Sequence, residues 1–169
     1  MKAVADASSL LSLEYMGILD DALNIMEIYT TGSVSKELKE IAGFRDEKSG
    51  IAKKILHLVK DNKIKCLDAK VGSRSKYASM EQCLYLCMTA KIPVILTDDA
   101  DAADFPDRIV SQKGIKLRMC ASVVVELIKA GKISPSSARG KLEGLIKKRS
   151  WEGGVLEVLV RRYMQENER

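Results

Sequence analysis

Short apolar runs in this chain alternate with stretches where apolar residues recur at every third or fourth position. The runs predict strands near Lys2–Ala5, Ile28–Thr31, Ile64–Asp68, Pro93–Thr97 and Ile115–Arg118. Between them, Leu38 with Ile41, then Ile51, Ile55, Leu58 and Val59, then Met80, Cys83, Leu84, Cys87 and Met88 trace the buried stripes of helices. Ser33 is placed to cap the first of these helices, with Lys36 and Glu37 in its first turn, and Gly43 is placed to end it. Strands that alternate with helices need crossover connections, so the pattern predicts an α/β fold around a mainly parallel sheet of about five strands.

Beyond Arg118 the pattern is helical only. One helix is expected over Val123–Ala130, and Ser134-Pro135 forms an N-cap and N1 pair that opens another to about Lys148. Gly153 and Gly154 precede a last amphipathic segment through Val155, Leu156, Leu159, Val160 and Tyr163. The expected organisation is one compact domain over 1–130, with 131–169 a helical C-terminal extension packed on it.

Composition narrows the function classes. With 169 residues and 46% hydrophobic content, the chain can bury a sizeable core. No stretch approaches the ~20 consecutive apolar residues of a membrane span, and no signal-peptide pattern stands at the start, so a cytoplasmic location without membrane attachment is expected. Cys66, Cys83, Cys87 and Cys120 lack paired zinc-ligand spacing and read as buried free thiols. His57 is the only histidine, which disfavours histidine triads and multi-histidine metal sites. The sequence contains no G-x-x-x-x-G-K-[ST] and no G-x-G-x-x-G, which sets aside P-loop and dinucleotide-binding readings.

Charge is divided unevenly. Residues 1–106 carry 14 Lys and Arg against 16 Asp and Glu, whereas 107–169 carry 14 against 7. The tail, with Lys129, Lys132, Arg139, Lys141, Lys147, Lys148, Arg149, Arg161 and Arg162, is a candidate phosphate-contacting surface as well as a set of ordinary solvated helix faces. The polar stretch from Asp68 to Lys76, with Lys70 and Arg74, offers a second basic segment.

Two of the apolar runs stop on carboxylates. Ala3-Val4-Ala5 meets Asp6, and Pro93-Val94-Ile95-Leu96-Thr97 meets Asp98 and Asp99. Parallel strands place these ends on one edge of the sheet, where open α/β folds bind their ligands. Glu37, one turn into a helix, and Glu81, near the start of another, belong to the same edge, because helices there begin where strands end. Asp98 should alternate away from Asp99, while Asp101 and Asp104 add outer charge or cap the next helix. Hard oxygen donors of this kind suit Mg²⁺ or Mn²⁺ and phosphodiester hydrolysis.

The pieces Val4-Ala5-Asp6-Ala7-Ser8, Val34-Ser35-Lys36-Glu37-Leu38, Met80-Glu81-Gln82-Cys83-Leu84 and Leu96-Thr97-Asp98-Asp99 stand in an order and at separations that resemble the PIN-domain family, above all the VapC-type toxin ribonucleases. The resemblance covers about residues 1–130 and implies a three-layer α/β/α PIN-like sandwich. It implies that Asp6, Glu37, Glu81 and Asp99 bind Mg²⁺ or Mn²⁺, and that Thr97 and Ser8 orient a carboxylate or a metal-bound water. It further implies a metal-dependent endoribonuclease acting on single-stranded RNA, the toxin of a toxin-antitoxin pair in some members, with a homodimer and an antitoxin as partners. The antitoxin would cover the cleft or an adjacent apolar groove, for which Leu10, Leu11, Leu13 and Ile18 are candidates. The alternative is a catalytically weak PIN-like module that binds RNA or protein.

Overall fold

The computed structural model describes residues 1–69, 78–100 and 113–166. In chain order the elements are β1 (Lys2–Ala5), α1 (Ala7–Tyr15), α2 (Leu19–Ile25), β2 (Glu27–Thr31), α3 (Gly32–Ala42), α4 (Glu47–Lys60) and β3 (Lys65–Leu67). They continue with α5 (Ala78–Ala90), β4 (Val94–Leu96), β5 (Lys116–Arg118), α6 (Cys120–Lys129), α7 (Pro135–Lys148) and α8 (Val155–Glu166).

All five strands are parallel, in the order β3-β2-β1-β4-β5. Consecutive residues of β1 (Ala3, Val4, Ala5) and of β4 (Val94, Ile95, Leu96) are buried, which a strand achieves only when both faces of its sheet are covered. The fold is therefore α/β, and the helices and sheet fit a three-layer α/β/α sandwich. After β3 the chain crosses back over β2 and β1 to place β4 on the other side of β1. The order thus reverses between β1 and β4, and such a switch point leaves a crevice outside the strand carboxyl ends.

Local chemistry sets the helix starts. Asp6 caps α1, accepting from the Ser9 N–H, Asp46 caps α4, and Ser134 caps α7 with Pro135 behind it. The expectation that Ser33 caps α3 is corrected: Thr31, still extended as the last residue of β2, accepts from the Val34 N–H, and Ser33 lies inside the helix. With no loop between β2 and α3, the strand's final side chain is already where a cap must stand. Gly43 ends α3 with an ordinary right-handed backbone.

The core is continuous from the sheet into the helices that follow it, and Leu10, Leu11, Leu13 and Ile18 all belong to it. They form no open groove, because α1 and the turn into α2 bury these side chains. In the C-terminal part, α7 packs on α1 and α6, and α8 packs on α6 and α7. No helix among the described residues is long and apolar enough to cross a membrane.

Candidate active site

Register brings the two acid-tipped strands level. Ala5 pairs with Leu96, so the next residues, Asp6 and Thr97, face each other beyond the last rung, and the Asp6 N–H donates to the Leu96 carbonyl at 3.1 Å. Ser9 Oγ donates to the same carbonyl at 2.9 Å, and Thr30 Oγ1 donates to the Ala5 carbonyl at 2.9 Å. These hydroxyls satisfy backbone oxygens at the ends of buried strands, where an unpaired carbonyl would be costly. Neither Ser9 nor Thr30 stands out in the sequence, because each bonds to an acceptor set by the sheet.

Asp6 is 8% exposed. Its Oδ1 accepts from the Ser9 N–H at 2.8 Å, its Oδ2 from Thr97 Oγ1 at 2.6 Å, and Ser8 Oγ lies 2.9 and 3.0 Å from the two oxygens. The two hydroxyls are themselves oriented by the backbone just beyond β4. The Asp98 N–H donates to Ser8 Oγ at 2.8 Å, and the Asp99 N–H donates to Thr97 Oγ1 at 3.2 Å. Since each hydroxyl oxygen accepts from the backbone, its proton is directed at Asp6. Burial pushes the Asp6 carboxyl above the ordinary range, and the bonds from Thr97, Ser9 and Ser8 oppose that rise by favouring the charged form.

Both helix-borne glutamates belong to this edge, since α3 leaves it from β2 and α5 runs back from it into β4. Glu37 is exposed by surface area, yet its carboxyl stands close enough to protein to be partly desolvated. That burial raises its pKa first, and the negative charges of Asp6, Asp99 and Glu40 raise it further. Glu81 occupies the first turn of α5, half-buried at the margin of the apolar face formed by Met80, Cys83, Leu84 and Cys87. Asp99 is exposed beside Thr97. Hydrogen bonds thus join Asp6, Ser8, Thr97 and the Asp99 backbone, charge couples Glu37 to them, and Glu81 shares their edge of the sheet.

Asp98 turns inward, as alternation requires. It is 2% exposed, its Oδ1 accepts from the Cys120 N–H at 2.9 Å, and its Oδ2 is buried without a hydrogen-bond partner among the described residues. Met119, the N-cap of α6, supplies no side-chain bond, so Asp98 performs the capping from 22 positions upstream. Local spacing gives no hint of such a cap. Burial raises the Asp98 pKa, against the bond from Cys120. Asp101, Asp104, Lys70, Arg74 and Lys76 lie outside the described residues.

Of the cysteines, Cys83, Cys87 and Cys120 are buried and free, as expected, whereas Cys66 is free but exposed on β3. Burial pushes the Cys87 thiol up to about 12, and raises Cys83 and Cys120 well above the usual value, so these three are thiols and not nucleophiles. In the basic tail, Lys129 pairs with Glu126, Arg139 with Glu143, Lys148 with Glu47 and Arg161 with Glu157, while Lys141 donates to the Met16 carbonyl. Exposed pairs of this kind are weak and leave the positive field largely in place.

The donor set has the chemistry of a hard-cation site, with carboxylates that repel one another and an Asp6 held by directed hydroxyls. Its spacing is looser than its chemistry. Among the described residues, no three or more His, Cys, Asp or Glu side chains stand together closely enough to hold a metal ion. No protein-family model matches this chain, and comparison with curated proteins finds no match.

Proposed function

We propose that the chain is a metal-dependent endoribonuclease that hydrolyses phosphodiester bonds of single-stranded RNA at the β1/β4 switch point. One observation carries the reading: a buried carboxylate, Asp6, is held by the hydroxyls of Thr97 and Ser8 at the crevice, with the negative charges of Glu37 and Asp99 turned on the same place. Asp6, Glu37, Glu81 and Asp99 would hold Mg²⁺ or Mn²⁺. Such an ion, when bound, supplies a water of lowered pKa and offsets the charge of the phosphate. Thr97 and Ser8 keep the Asp6 oxygens fixed and favour their charged form against burial, and the basic tail, net positive, draws the RNA backbone toward an edge that would otherwise repel it. Free buried thiols agree with a reducing, cytoplasmic setting.

The test is cleavage of a labelled single-stranded RNA by purified protein with Mg²⁺ or Mn²⁺, compared with EDTA and with Asp6→Asn. Cleavage that needs the ion and is lost in Asp6→Asn is the expected result; equal cleavage by wild type and variant sinks the proposal. A toxin role, an antitoxin partner and a homodimer rest on the family resemblance alone.

A second reading, an RNA- or protein-binding module that does not cut, draws on the loose spacing of the acids. Titration with Mn²⁺ separates the two: carboxylate-dependent ion binding favours the nuclease, and its absence favours the module.

A further inference from the structure

Next to the acidic edge lies a groove of about 240 Å³ between the carboxyl ends of β4 and β5 and the last helix, α8. Its walls are apolar, formed by Leu117, Leu156, Leu159 and Tyr163, while Thr97, Asp99 and Arg118 stand at its polar end. Val155, another wall residue, is 61% exposed, and Leu159 is 38% exposed. A helix end that leaves such residues open beside a polar site calls for an occupant with one apolar and one charged part.

We infer that this groove is a subsite for one unstacked nucleobase of the RNA strand, seated against Leu159 and Tyr163, with the adjoining phosphate directed to Arg118 and the acidic edge. The inference rests on the proposed nuclease reading and names where its substrate is gripped. Chemistry argues for a base over a purely apolar protein element, because the apolar wall runs up to the guanidinium of Arg118. A flat base presents a π-face to the apolar wall, and its phosphate carries the charge that Arg118 complements. Position argues the same way. Thr97 and Asp99 belong both to the groove and to the proposed catalytic edge, so a base in the groove has its own phosphodiester near Asp6. The subsite also accounts for recognition by a chain with few aromatic residues, since a single stacking position replaces an aromatic platform.

The experiment measures fluorescence anisotropy of the full chain with a labelled octauridylate in EDTA. The comparison oligomers carry one abasic ribose at each position in turn. One position is expected to weaken binding by about 10-fold, within the range of base stacking on a protein face. Leu159→Asp and the more exposed Val155→Asp are expected to remove that difference. Equal binding of intact and abasic oligomers by wild type overturns the subsite, and this arm leaves the protein unaltered, so misfolding cannot account for it. If both variants keep the wild-type penalty, the subsite is overturned as well. Should groove variants lose self-association while RNA binding is unchanged, a second copy occupies the groove and the base does not. Metal-dependent cleavage that Asp6→Asn abolishes, in the absence of any abasic penalty, removes the subsite and leaves the nuclease. An abasic penalty without cleavage does the reverse.

Discussion

Thr97 donates its hydroxyl to Asp6 Oδ2 at 2.6 Å, across 91 positions of sequence. Because the same hydroxyl accepts from the Asp99 N–H, its proton has one direction to take, and Asp6 is held as an acceptor. Thr97→Val keeps the shape and deletes the bond. A buried oxygen then keeps only the longer contact with Ser8 Oγ, the Asp99 N–H loses its acceptor, and the fold should lose about 1 kcal/mol. Thr97→Ser restores the donor. In a nuclease, Val should lower kcat more than it raises KM, and Ser should rescue most of the loss; equal activity of the two variants would show that the hydroxyl has no part in positioning Asp6.

Asp98 acts on stability and not on the cleft. Its carboxylate caps α6 through the Cys120 N–H, so Asp98→Ala should cost ~1–2 kcal/mol, measured by urea unfolding. Asp98→Asn retains the accepting oxygen and removes the buried charge. It should match wild type where Asp98 is protonated, near the ordinary carboxylate pKa of ~4, and gain on it as pH rises. A large loss in the Asn variant at pH 8 would mean that the charge itself is required.

The pH dependence follows from the same burial. Asp6 and Asp98 both have raised pKa values, so the folded chain retains protons that the unfolded chain has released. Their contribution to stability therefore rises as pH falls from the raised values toward the ordinary carboxylate pKa near ~4, and is lost as pH climbs back through them. Glu27, lowered by Lys65 and Tyr29, and Glu157, lowered by the Gly153 N–H and Arg161, act in the opposite sense, but both are exposed and screened. Thermal unfolding followed upward from pH ~4 should show Tm falling as pH rises through the raised values, with the slope reduced in Asp98→Asn. A flat or inverted profile in wild type would contradict it.

The strands themselves and the acidic edge were legible in the sequence because both rest on short-range pattern, whereas the strand order was not. β1 and β4 are continuous apolar runs, and a parallel sheet sends their ends to one edge whatever the details. Thr97 opposite Asp6 follows once β1 and β4 are paired, but the pairing needs the fold. The Thr31 cap was missed because Ser33 offers an equally good local capping residue, and only the absence of a loop between β2 and α3 decides between them. The Asp98 bond to Cys120 and the groove under α8 join residues from distant segments, and no local period encodes either. The inward turn of Leu10, Leu11, Leu13 and Ile18 was equally open, since an apolar stripe reads the same whether it meets a core or a partner.

Glu37 should govern ion affinity. Its pKa is raised by partial desolvation and by Asp6 and Asp99, so a divalent cation competes with a proton there. Mn²⁺ binding, followed by calorimetry, should weaken as pH falls through the raised Glu37 value. Glu37→Gln should weaken it at every pH, by about 10-fold or more, since even the loss of an outer partner of a metal ligand costs that much. Binding unchanged in Glu37→Gln would remove this residue from the site.

Glu81 discriminates between an edge acid that works and one that only solvates a helix. It lies at the boundary of the α5 apolar face, half-buried, in the first turn, where a carboxylate also favours the helix N-terminus electrostatically. That helix effect is worth ~0.3–1 kcal/mol, so Glu81→Gln should change stability by no more than this. If Glu81 holds the ion, the same variant should reduce cleavage by about 100-fold, a loss of roughly 2.7 kcal/mol in transition-state stabilisation, far larger than the stability change. Glu81→Asp keeps the charge and shortens the arm, so its cleavage should fall between the two. Wild-type cleavage in Glu81→Gln, with the fold intact, would leave Asp6, Glu37 and Asp99 as the whole of the acidic site.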